Sequence, residues 1–219
     1  MDLEVIYSYI PRFVDAFWLT LKIGWFGILI AFIVGILTAF AVHFKVPVLS
    51  KIAGIYIEIF RNTPLLVQLF FIYFGLPKLG IRVSAESCGA VGLGLLGGSY
   101  MAEAIRSGLD AISLAQTESA LALGMKKTQV FRYIILPEAF SLSVPAIVAN
   151  LIFLLKETSV FSAISLMDLM FTAKDLIGLY YDTTETLFLL VIFYLIMLLP
   201  VSLIGNAVEK KYRYRMLGQ

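Results

Sequence analysis

Cysteine and histidine are almost absent from this 219-residue chain, at one residue each. Cys88 therefore cannot close an internal disulfide, and with His43 as its only counterpart no His/Cys cluster is available to hold a metal. Charge is sparse too. Only 15% of residues are charged and the net balance is +2, which makes no case for nucleic acid as a partner. The polar stretches are too short to build a separate soluble core. The run Gly92-Leu93-Gly94-Leu95-Leu96-Gly97-Gly98-Ser99 has no lysine after its glycines and lies in an apolar segment, so it is not a phosphate loop. No other segment offers one. No constellation of nucleophile, base and acid appears, so neither catalytic nor metal-ligating residues are expected. Met1-Asp2-Leu3-Glu4 lacks the basic region and cleavage site of a secretory signal, and the first apolar segment is expected to be retained.

Apolar residues, by contrast, make up 60% of the chain, with a mean hydropathy of +0.93. A soluble domain of this size would expose too much apolar area to stay dispersed. Several runs reach the roughly 20 residues that cross a bilayer as a helix. The reading is an all-α membrane protein, a single transmembrane domain over residues 1–219 with about five spans. These cover about 17–42, 55–75, 88–105, 140–155 and 187–208, with a polar loop at about 113–137. In the third span Ala90, Gly94, Gly98 and Ala102 recur every four residues, a small-residue face that permits close helix packing. Cys88, at the head of that span, reads as a packed small residue.

Orientation follows from lysine and arginine in the flanks. With the N-terminus outside, the inner flanks hold eleven (Lys45, Lys51, Arg61, Arg106, Lys126, Lys127, Arg132, Lys210, Lys211, Arg213 and Arg215) and the outer flanks four (Arg12, Lys78, Arg82 and Lys174). The segment from Asp168 to Glu185 is acidic and falls outside. Met1 is thus placed outside and Gln219 inside, with the 113–137 loop in the cytoplasm.

That loop carries Glu118-Ser119-Ala120, then Gly124, then Ile134-x-Leu136-Pro137. Glycine lets the chain turn between two short helices, Met125 and Lys126 follow the turn, and Pro137 is expected to start the next helix. An amphipathic helix on the membrane surface would also suit the basic residues, but needs neither the Gly nor the Leu-Pro at those offsets. The pattern resembles the EAA motif, the cytoplasmic coupling-helix loop by which permeases of binding-protein-dependent ABC importers grip their ATPase, with Ser119 as the one departure.

Three further stretches place polar groups at membrane depth, where they usually face a cavity or a partner. Glu58 and Arg61 are three apart and can pair on a helix, ahead of Asn62-Thr63-Pro64 and a kink at Pro64. The stretch is similar to the Arg-Gly-Thr-Pro-Leu-Leu-Val-Gln signature of polar amino acid permeases, with Asn62 where Gly is usual. Gln68, one turn on, can bond a ligand or a neighbouring helix. Ser99-Tyr100-x-x-Glu103-x-x-Arg106-x-Gly108 ends the third span, and Glu103 with Arg106 reads as a structural pair. Leu154-Leu155-Lys156-Glu157-Thr158-Ser159 is similar to the family's Leu-Leu-Lys-Asp-Thr-Ser. Helix rise puts Lys156 roughly 28 Å beyond Pro137, toward the outer half of the membrane. Its alternating signs and two hydroxyls suit a zwitterion, although compensation between Lys156 and Glu157, or with other helices, explains them equally well.

The resemblance implies a type I ABC importer permease fold and a place in a bacterial cytoplasmic (inner) membrane. It implies two ATP-binding cassette ATPase subunits, a second permease subunit forming an identical or homologous dimer, an external substrate-binding protein and a polar amino acid substrate. ATP and magnesium would belong to the ATPase, with no cofactor in this chain. The implied coupling residues are Glu118, Ser119, Ala120, Gly124, Met125, Lys126, Ile134, Leu136 and Pro137. The implied substrate residues are Arg61, Asn62, Thr63, Gln68, Ser99, Lys156, Glu157, Thr158 and Ser159. An ion-coupled secondary transporter, a permease for another small polar solute, and a scaffold or sensor without a transport path are the alternatives.

Overall fold

The computed structural model describes residues 1–217, with side chains through Tyr212, and no strand occurs among them. The helices are α1 (Leu3–His43), α2 (Leu49–Arg61), α3 (Leu65–Leu79) and α4 (Ala85–Asp110). They continue as α5 (Leu114–Ala122), α6 (Lys127–Ile164), α7 (Leu169–Tyr180) and α8 (Thr183–Leu217). Helices α1, α4, α6 and α8 are each long and apolar enough to cross a bilayer. Helices α2 and α3 make a fifth crossing if counted as one span broken by a 105° bend. The side chains of Arg213 and Arg215, used above for orientation, and Gln219 lie outside the described residues.

The bend follows from Pro64, which has no N–H to give and holds an extended backbone (φ −59, ψ 142). Carbonyls at the end of α2 would be orphaned there. The Gln68 amide fills the gap, donating to Phe60 O at 3.1 Å and Thr63 O at 2.9 Å. Gln68 thus staples the break, and its side chain is buried.

Helix α4 is the axis of the fold. Its small-residue face lies against α1 and α2, where a Cβ on Gly94 would come within 2.5 Å of Ile30 and one on Gly98 within 2.6 Å of the Tyr56 hydroxyl. Gly27 and Gly35 of α1 answer it: a Cβ on Gly35 would sit 2.5 Å from Met101 Cβ. The stripe therefore packs within the subunit. On another face Gly97 receives Leu154 of α6, with Cδ1 placed 2.6 Å from where a Cβ would be. Cys88 is fully buried in the same core, as its apolar surroundings suggest.

The sequence expectations meet the structure at three points. Helix α1 begins at Leu3 rather than near residue 17. Its outer turns are too polar to read as a span, yet they bury Ile6, Tyr9, Phe13 and Ala16 against α7 and α8, a helical spacing. Second, Pro137 falls in the first turn of the α-helical stretch Leu136–Glu157, as expected, but that stretch continues α6 instead of opening a separate helix. Helix α6 runs through it, because a π-turn over Phe131–Ile135 absorbs the lost N–H and the ring's clash with the carbonyl four residues back. Third, a helix that the sequence reading did not assign follows Asp168. Asp168 is fully buried and caps α7, accepting from the N–H groups of Met170 (3.2 Å) and Phe171 (3.0 Å). Burial pushes its carboxyl up to about 7 despite those two donors.

Candidate functional site

Two regions gather the residues singled out above. The first is the turn between α5 and α6. Gly124 sits at φ +85, and its N–H donates to Leu121 O at 2.9 Å while that of Met125 donates to Ala120 O at 3.2 Å. This pair of bonds is the Schellman helix ending, whose left-handed position favours glycine. Lys126 then opens α6, its N–H held by Gln129 Oε1 at 2.8 Å. Of the coupling candidates only Ala120 is fully buried. Glu118, Ser119, Lys126, Leu136 and Pro137 are exposed, and Met125 and Ile134 are partly so. Leu114 and Leu123 add two large exposed apolar groups to α5, at 79% and 85%. Gln116 Nε2 donates to Glu138 Oε1 at 3.2 Å, tying α5 to the inner part of α6. Behind α5, toward His43 and Phe44 of α1, lies a groove of about 490 Å³ walled by Leu121, Val130 and Phe131. The element thus offers an exposed apolar and acidic ridge on a rigidly ended helix.

The second region is a cavity of about 350 Å³ at the α2–α3 break. Arg61, Asn62, Thr63 and Glu157 line it, with Tyr100, Leu96 and Phe153 behind. Four of the nine substrate candidates therefore meet, and they bring one cation and one anion to one space. The volume is in the range of small-molecule sites. Leu154 lies on Gly97, midway along α4, so the Lys156–Thr158 stretch stands about level with the middle of that helix.

The other five do not join. Lys156 is exposed on a different side of α6, and among the described residues it makes no ion pair, so internal compensation with Glu157 is not what the side chains do. Ser99 and Thr158 are fully buried, their hydroxyls donating to Leu96 O (2.6 Å) and Leu155 O (2.7 Å) of their own helices. Ser159 is half-buried and accepts from Ser162 through its carbonyl. Gln68 is taken up by the helix break. Pairing also differs at Arg61. Glu58 accepts from Asn62 Nδ2 at 3.2 Å, while Arg61 reaches across to Glu103 of α4 at 3.5 Å and lies over the Tyr100 ring at 5.5 Å. Arg61 is at the end of α2, where its side chain can leave the helix for a neighbour. Tyr100 and Phe153 are cavity residues that sequence reasoning did not assign. Tyr100 stood inside a noted stretch, but nothing distinguished its ring from a packing residue.

Comparison with known proteins follows this geometry. The family model described as "Binding-protein-dependent transport system inner membrane component" matches residues 27–214. The arginine transport system permease protein ArtQ of Bacillus subtilis is 34% identical over 214 residues, covering 97% of this chain and 98% of that one. A solved structure titled as an amino acid ABC transporter with histidines superposes with a TM-score of 0.89 at 31% identity, over 96% of this chain and 99% of the other. The inward-facing MetNI methionine ABC transporter shares the fold at a TM-score of 0.78 and 20% identity, over 97% and 99% of the two chains.

Proposed function

The chain belongs to the binding-protein-dependent transport system inner membrane components, the permease subunits of ABC importers, and we propose that it carries a polar amino acid into the cytoplasm by alternating access. The observation that carries the substrate class is the cavity at the α2–α3 break, where Arg61 and Glu157 present opposite charges in about 350 Å³. A free amino acid bears both a carboxylate and an ammonium and fits such a pair. Charges at this depth are retained when something compensates them. The relatives' names point the same way, toward arginine and other amino acids.

In this reading ATP and magnesium are held by separate ATPase subunits, and no cofactor sits in this chain. Helix α5 and the turn at Gly124 seat on the ATPase through Glu118, Ser119 and the exposed leucines. Closure of the ATPases on ATP draws the α5 helices of two permease subunits together and opens the cavity outward to an external binding protein. Hydrolysis resets it. The subunit works in a bacterial cytoplasmic membrane, as one transmembrane domain over its whole length.

Glu157→Gln tests the cavity. Uptake of L-glutamine, L-glutamate and L-arginine by the reconstituted complex is expected to shift in rank, with the basic substrate losing about tenfold, the scale of one charge-assisted contact. Basal ATP hydrolysis should persist. Wild-type uptake and selectivity in an assembled mutant removes Glu157 from recognition. Orientation has its own test. A reporter active only in the cytoplasm should work when fused at the C-terminal end of α8 and stay silent in the loop at Asp182. The reverse pattern puts the α5 turn on the wrong side for an ATPase.

A further inference from the structure

Arg61 is anchored from behind by a stripe of alternating charges that the cavity itself does not require. On α4, Glu103, Arg106 and Asp110 lie three and four residues apart, one above another on a single helix face. Glu103 faces Arg61 Nη1 with one oxygen at 3.5 Å and accepts from Arg106 Nη2 with the other at 2.6 Å. Arg106 donates through Nη1 to Asp110 Oδ2 at 2.9 Å. His43 at the end of α1 closes the series, its Nδ1 3.4 Å from Asp110 Oδ1. Glu103 is thus a counter-ion whose own position is fixed from below.

Stability does not account for this arrangement. Each partner in the Arg61–Glu103 and Glu103–Arg106 pairs is about a third exposed, at 38% and 30%, and 30% and 35%. Pairs so open contribute little, since solvent screens them. What the stripe supplies is direction. Arg61 ends a helix beside a 105° break, where a long side chain has many rotamers to lose on binding. Glu103 on one side and the Tyr100 ring 5.5 Å away on another restrict those rotamers before any ligand arrives. A guanidinium has five N–H donors, and only Nη1 faces Glu103 at ion-pair distance, so the others remain for the cavity.

We propose that Glu103, itself held by Arg106, is a positioning residue that sets the Arg61 guanidinium to receive the carboxylate of the transported amino acid. This rests on the substrate cavity argued above. The test uses the complete complex with its ATPase and binding protein in proteoliposomes, and whichever of L-arginine, L-glutamine and L-glutamate the wild type carries fastest. Arg61→Gln and Glu103→Gln are each expected to raise KM about tenfold, with the loss falling on KM more than on Vmax. Their combination should be no worse than Arg61→Gln alone, because Glu103 acts through Arg61. Glu103→Asp should recover most of the loss.

The outcomes separate the two ideas. An unchanged KM in Arg61→Gln sinks the cavity assignment and the positioning role with it. A raised KM in Arg61→Gln beside an unchanged KM in Glu103→Gln, or fully additive effects in the double variant, sinks the positioning role alone. If Glu103→Gln does not assemble, Arg106→Gln replaces it. That variant leaves Arg61 and Glu103 in place and removes the group that fixes Glu103, and an unchanged KM there also overturns the proposal.

Discussion

Gly124→Val is expected to uncouple the transporter while leaving its membrane helices folded. The residue sits at φ +85, where a Cβ collides with the chain's own backbone, and a β-branched side chain suffers most. Apart from Gly124 itself and its two chain neighbours, no atom lies within 4 Å of the place a Cβ would occupy, so the penalty is conformational and not a clash with other elements. Holding a non-glycine residue in such a conformation costs about 1–3 kcal/mol. The chain relieves it by abandoning the two hydrogen bonds that end α5 on Leu121 and Ala120. Helix α5 and the start of α6 then lose their fixed angle. ATP hydrolysis stimulated by the binding protein should fall about tenfold or more, the scale of that conformational penalty. Co-purification of the ATPase should fall with it. Gly124→Asn should lose much less, since asparagine tolerates the left-handed region. Normal stimulated hydrolysis in Gly124→Val would show that the turn does not set the docking surface.

Gly97→Val should act oppositely, removing the protein rather than its coupling. Gly97 lies where α1, α4 and α6 meet. An added Cβ would stand 2.6 Å from Leu154 Cδ1 and 2.8 Å from Ala31 Cβ. Leu154 and Ala31 are both fully buried, so neither can swing aside without displacing its helix. Overpacking of this kind typically costs about 1–3 kcal/mol, and spreading the helices also loosens Glu157, within one helical turn of Leu154. The expected result is a sharp loss of monodisperse protein on size exclusion after brief heating in detergent. Gly54→Val is the control, since open space surrounds Gly54 on α2. Equal stability of the two variants would contradict the packing described for α4.

Much of the architecture was legible because a bilayer imposes length and polarity on any helix that crosses it. The five apolar runs, the break at Pro64 and the small-residue face of α4 all follow from residue type and spacing. Helix α7 was not assigned because its segment was read only for its acidic charge and its place outside. The signal that could have found it was Asp168 directly before Leu169-Met170-Phe171, an N-cap ahead of an apolar run. The site divided along similar lines. Arg61 and Glu157 reached the cavity, as charged groups at depth tend to. Ser99 and Thr158 turned their hydroxyls onto carbonyls of their own helices, a choice that depends on rotamer rather than sequence. Lys156 and Glu157 are adjacent on a helix, about 100° apart in direction, so one cavity could not receive both.

The central claim is that this subunit moves an amino acid at the expense of ATP held by a partner. Proteoliposomes containing the complex, with ATP enclosed and the binding protein outside, put it to the test most directly. The account predicts accumulation of the labelled amino acid that stops without ATP and is indifferent to collapse of proton and sodium gradients. Accumulation that persists without ATP and disappears with the ion gradient would contradict it.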